Sequence, residues 1–154
     1  MSNIFEFIRN SNLDALSTLL DAQPELVNQS GARGFTPLIL ATYSSNKAIT
    51  ELLLEKGAEI DKQDQAGNTA LMGLAFKGNP ELVALLIEKG ADVNKQNFGG
   101  TNAITFAAQF GKNEIVKLLL EAGANPNIED SNGNSAVKHA QAQGNTELLG
   151  LFTA

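Results

Sequence analysis

The residues of this 154-residue chain that could do chemistry are few. An enzyme of this size should show a nucleophile beside its base, a carboxylate pair in a cleft, a metal cluster or a phosphate loop. His139 is the one histidine and cysteine is absent, which removes disulfides, thiolate sites and most zinc and transition-metal designs. His139 also lies 33, 66 and 99 residues after Phe106, Gly73 and Leu40, a register that reads as packing or a partly exposed cap. Asp61, Asp64, Asp92, Glu129 and Asp130 could offer oxygen ligands, but their spacing is looser than a Ca²⁺ loop requires and turn capping accounts for them. Gly99-Gly100 is not followed by Gly-Lys-Ser/Thr, so no phosphate cradle is read there. The expectation is a protein with no catalytic, cofactor-binding or metal-ligating residues, and not an enzyme.

The elements that position these residues come from a repeat. Gly34, Gly67, Gly100 and Gly133 are each 33 residues apart, and Gly57, Gly90 and Gly123 keep the same interval. Two apolar ladders run in step: Phe5, Leu38, Leu71, Ile104, Val137, and Leu19, Leu52, Leu85, Leu118, Leu151. Within a unit, Ile49-Leu52-Leu53 recurs as Leu82-Leu85-Leu86 and Ile115-Leu118-Leu119, the i, i+3, i+4 stripe of an amphipathic helix. A first helix opens at Thr36, Thr69, Asn102 and Ser135, whose side-chain oxygens suit an N-cap, with Pro37 at the next position and Asn3 in the same register near the start. Gly57, Gly90 and Gly123 follow the second helices, where a left-handed residue ends a helix. Asp64–Gly67, Asn97–Gly100 and Asp130–Gly133 then have the composition of type I turns.

Each unit therefore reads turn, helix, helix, and helix pairs this short bury their apolar faces only by stacking. The expected fold is an all-α solenoid forming a single domain over 1–154. Its units are 1–33 as N-terminal cap, 34–66, 67–99, 100–132, and 133–154 as C-terminal cap. Gly73 beside Phe106 in the adjacent unit suggests a missing side chain filled by an oversized neighbour.

The unit resembles the ankyrin repeat. Gly34-Phe-Thr-Pro-Leu38 with Ala41 is similar to its helix-opening motif, and Glu81 through Asn94 to its second helix and finger. The resemblance covers the whole chain, with a partial first unit. It departs where Ile39, Met72, Thr105 and Lys138 replace the family's histidine, Ala70, Ala103 and Ala136 replace proline, and Pro24 takes the place of Gly57. The family's histidine hydrogen bonds between repeats are expected to be absent.

A net charge of −6 argues against binding a phosphate backbone, which needs clustered Lys and Arg. Glu6 and Arg9 interrupt what a signal peptide would need as an apolar run, and no stretch reaches the roughly 18 apolar residues of a membrane span. The expectations are no nucleic acid, no membrane, a monomeric cytoplasmic protein, and, from its compact irregular repeats, a bacterial source.

The resemblance implies a protein partner held by finger tips and first helices. Residue by residue it points to Arg33 and Phe35, Gln65 and Asn68, Phe98 and Thr101, Ser131 and Asn134 in the turns. On the inner helices it points to Tyr43, Phe76, Lys77, Gln109 and Phe110. Five of the nine aromatic residues fall in this set. They would form either an exposed stripe rich in the ring types that anchor interfaces or internal packing. Phe5, Phe7, Phe106 and Phe152 read as core or cap. Protein binding as an adaptor or inhibitor is the leading function, with a partner of mixed or basic charge. An aromatic pocket for a small molecule or peptide on the same face is the alternative.

Overall fold

Thr36, Thr69, Asn102 and Ser135 each accept a hydrogen bond from the backbone N–H three residues on, at 3.0, 3.3, 3.1 and 3.2 Å. These bonds satisfy donors that a helix start otherwise leaves orphaned. The computed structural model describes residues 4–153, so the helix start expected at Asn3 lies outside the described residues. Its elements are α1 (Ile4–Arg9), α2 (Leu13–Ala22), α3 (Pro37–Tyr43), α4 (Lys47–Glu55), α5 (Ala70–Lys77), α6 (Pro80–Glu88), α7 (Ala103–Gln109), α8 (Asn113–Glu121), α9 (Ala136–Gln143) and α10 (Thr146–Phe152). Where Pro24 replaces the usual glycine, the chain leaves α2 through a 3₁₀ turn over Pro24–Asn28.

A second cap ladder opens the second helices. Asn12, Asn46, Asn79 and Asn145 accept from Ala15, Ile49, Leu82 and Leu148 N–H at 3.0 to 3.2 Å. Lys112 holds the corresponding place before α8 and makes no side-chain cap.

The helices stand in two layers, α1, α3, α5, α7 and α9 side by side within and the second helices outside. Leu38, Leu71 and Ile104 on the first helices and Ile49, Leu82 and Ile115 on the second are buried between them. Phe5, Phe7, Phe106 and Phe152 are half-buried against this core. Outside, Lys56 pairs with Asp21 at 2.6 Å and Lys47 with Glu81 at 2.9 Å, linking successive second helices. Both lysines are held above their ordinary pKa, chiefly by the hydrogen bond to the partner carboxylate.

The finger turns close as their sequences require. Gly67, Gly100 and Gly133 N–H donate to Asp64, Asn97 and Asp130 O at 2.9 to 3.0 Å, and the same three side chains each accept two further backbone N–H groups. Fingers are tied to one another by main-chain bonds at a constant offset: Gln65 N–H to Arg33 O at 3.0 Å, Phe98 N–H to Ala66 O at 3.1 Å, Ser131 N–H to Gly99 O at 2.9 Å. Where the family carries histidine, the three later replacements find separate partners. Met72 sulfur accepts from Thr69 N–H, Thr105 hydroxyl donates to Asn102 Oδ1 at 2.6 Å, and Lys138 Nζ donates to Glu129 and Gly133 O.

Candidate functional site

Arg33, Phe35, Tyr43, Gln65, Phe76, Lys77, Phe98, Gln109 and Phe110 are all exposed. The five rings among them range from 37% to 72% exposed, so each keeps much of its surface in water rather than in the core. Five of the nine residues, Arg33, Phe35, Tyr43, Gln65 and Phe76, line one cavity of about 790 Å³ between the fingers and the first helices. Ile39 and Leu40 of α3, Met72 and Gly73 of α5, and Phe106 of α7 form the rest of its apolar wall.

Gly73 lies in the wall of the cavity. A Cβ on Gly73 would meet Tyr43 Cδ1 at 3.7 Å and no atom of Phe106 within 4 Å. Phe106 therefore does not fill the missing side chain, as the register suggested; it borders the space that the glycine leaves, and the space stays open. Leu40, Met72 and Phe106 line the cavity although none was a candidate contact residue and Phe106 read as core or cap, and the one sequence signal for them was a glycine in the Leu40, Gly73, Phe106 ladder.

Around the cavity the rings brace one another. Phe76 meets Phe110 edge to face, with centroids 4.7 Å apart and planes at 82°, so Phe110 extends the aromatic wall without lining the cavity. Lys77 Nζ lies 4.8 Å from the Tyr43 ring centre and donates to Tyr43 O, which orients that ring and occupies a carbonyl at the end of α3. Phe98 stands apart at the fingertip with its ring against Gly67, and Gln109, whose carbonyl accepts from Gln143 at 2.8 Å, lies outside the cavity.

Arg33 is unusual in two ways. Its backbone is left-handed, φ 58° and ψ 19°, a conformation that side chains rarely adopt and whose register counterparts are Ala66, Gly99 and Asn132. Its guanidinium has no hydrogen bond or ion pair among the described residues. Asp64 lines the same cavity, but its Oδ1 accepts from Ala66 and Asn68 N–H at 2.9 Å and holds the turn. Among the described residues no group of three or more His, Asp or Glu side chains is placed to hold a metal ion. No helix there is long and apolar enough to cross a membrane.

The arrangement offers shape, aromatic surface and a guanidinium without a partner among the described residues, which is equipment for binding. The family description of ankyrin repeats in three copies matches residues 4–97 and 71–152, and the chain belongs to the ankyrin-repeat family. Such repeats are generally protein–protein interaction modules, and proteins of the family are typically non-enzymatic scaffolds. Over 62 residues the chain is 37% identical to ankyrin repeat and SAM domain-containing protein 6 of Mus musculus and, over the same length, 36% identical to that of Rattus norvegicus. Those matches cover 40% of this chain and only 7% of either relative.

Proposed function

We propose that the chain is a non-catalytic adaptor or inhibitor that binds a partner protein on the face built by its fingers and first helices. The observation that carries this reading is the grouping of Phe35, Tyr43 and Phe76 around one open cavity, with Phe110 against Phe76. Interface centres are enriched in such rings, and truncating a hot-spot ring typically costs about 2 kcal/mol or more of binding. The first and last units serve as caps in this reading, and the units between them present the face. The absence of cysteine suits work in a reducing, cytoplasmic setting.

The test is capture from a lysate of the cells that make the protein, comparing wild type with a folded Phe35→Ser, Tyr43→Ser, Phe76→Ser, Phe110→Ser variant. A protein retained by wild type alone supports the reading, and equal retention by both baits removes the face from it. A second reading, a small-molecule receptor, draws on the cavity volume of about 790 Å³, which falls within the roughly 300–1,000 Å³ of ligand pockets. A small-molecule extract that raises the melting temperature of wild type but not of the quadruple variant would favour it.

A further inference from the structure

We propose that the cavity seats a bulky apolar side chain of a partner segment whose flanking residues carry carboxylates, one of them paired with Arg33. The inference rests on the protein-binding reading and adds the chemistry of the partner. The apolar part follows from the wall: Phe35, Leu40, Met72 and Phe106 line an open space of about 790 Å³, and Gly73 in the same wall puts no side chain into it. Such a space gains most from a side chain that removes its apolar lining from water.

The acidic part follows from where the charge lies. Although the chain carries a net −6, the second helices hold nine carboxylates against two lysines, on the layer away from the cavity. Helices α3, α5 and α7, which supply its inner wall, hold no carboxylate and one cation, Lys77. At the finger end the guanidinium of Arg33 has no partner among the described residues, while Asp64 is engaged by its own turn. A guanidinium meets a carboxylate with two parallel N–H donors, and the exposed Arg33 guanidinium is accessible to one. The left-handed backbone at Arg33 is a local cost that a plain turn residue would reduce, and such outliers concentrate at sites of function. Helices α3, α5 and α7 thus carry the opposite sign to the molecule, and Lys77 with the unpaired Arg33 would steer an acidic segment toward the cavity rather than along the fingers, which hold Asp61, Asp64, Asp92, Glu129 and Asp130.

Random peptides displayed on phage, selected against the full chain, provide the test. The expected pool carries Phe, Leu or Trp beside Asp or Glu. A peptide synthesised from it should bind Arg33→Gln about tenfold more weakly, Arg33→Lys more tightly than Arg33→Gln, and wild type less tightly as salt is added. It should lose binding to Gly73→Leu, which places a side chain in the cavity; Leu40→Phe serves instead if Gly73→Leu does not melt cooperatively. Selected peptides that are basic or uncharged, lost on filling the cavity yet indifferent to Arg33→Gln, would overturn the acidic partner and leave protein binding on this face intact. Peptides indifferent to cavity filling would overturn the inference, and if the quadruple aromatic variant also retains them, the proposed face falls with it. Failure to enrich any peptide would overturn a segment as the occupant.

Discussion

Gly73 stands inside α5 where the surroundings would admit a side chain, since a Cβ there meets Tyr43 Cδ1 at an ordinary 3.7 Å. Glycine within a helix is about 1 kcal/mol less favourable than alanine. Gly73→Ala is therefore expected to raise stability by about 0.5–1 kcal/mol, seen as a higher urea midpoint with an unchanged slope. A methyl group occupies little of a cavity of about 790 Å³, so partner binding should survive Gly73→Ala and fail with Gly73→Leu. Lys112 is the other residue that departs from its ladder, being the helix start without a side-chain cap where Asn12, Asn46, Asn79 and Asn145 have one. Lys112→Asn should add about 1 kcal/mol through the cap and raise the melting temperature by about 2–4 °C in a chain of this length. Lys112 also lies along Gly78, where a Cβ would approach its Cε at 3.1 Å. A lower melting temperature in the variant would mean that this contact outweighs the missing cap.

The finger is the element that couples one unit to the next, and at Gly67 the next finger leaves no room for a side chain. Its φ is +85°, and a Cβ there would stand 2.6 Å from Phe98 N and 2.8 Å from the Phe98 ring, so both the turn and the approach of the next finger require glycine. Gly90 has a similar φ of +97° at the end of α6, with nothing within 4 Å of an added Cβ. Gly90→Ala should cost about 1–2 kcal/mol from backbone strain alone. Gly67→Ala should cost about 3 kcal/mol or more, because the Phe98 N–H to Ala66 O bond must also yield. Denaturant melts of the two variants check this, and equal losses would show that fingers contribute little to coupling. Finger and helix start alike were legible from sequence, because Asp64, Thr69 and their counterparts bond to N–H groups only two to four residues away. The contact of Phe98 with Gly67 was not, since the two belong to successive turns.

Across the whole molecule, charge is unevenly shared: with nine carboxylates against two lysines, the second helices are more negative than the chain as a whole, whose net charge is −6. The ion pairs Lys47–Glu81 and Lys56–Asp21 cross it at exposed positions, where such pairs stabilise little. Repulsion within the layer should then dominate, and the melting temperature is expected to rise as salt is raised from about 0.05 to 0.5 M. A fall instead would mean that the ion pairs outweigh the repulsion. Both paired lysines titrate above their ordinary value, so the stability linked to their protonation is present below that value and is lost as pH rises through the raised pKa. The 33-residue period, both helices of each unit, the first helices' caps and the turns could be read from the amino-acid sequence, because each depends on neighbours along the chain or on strict repetition. The nine candidate contact residues could be named for the same reason, as register positions of a known kind of repeat. Only the tertiary structure decided that Arg33, Tyr43, Gly73 and Phe106, drawn from positions tens of residues apart, surround one open space. It alone showed Phe106 leaving that space unfilled, Lys77 turned onto Tyr43 and the acidic charge gathered on the opposite layer. The reason is physical: local bonding selects turns and helices, whereas the volume left between stacked units depends on how side chains of several repeats meet.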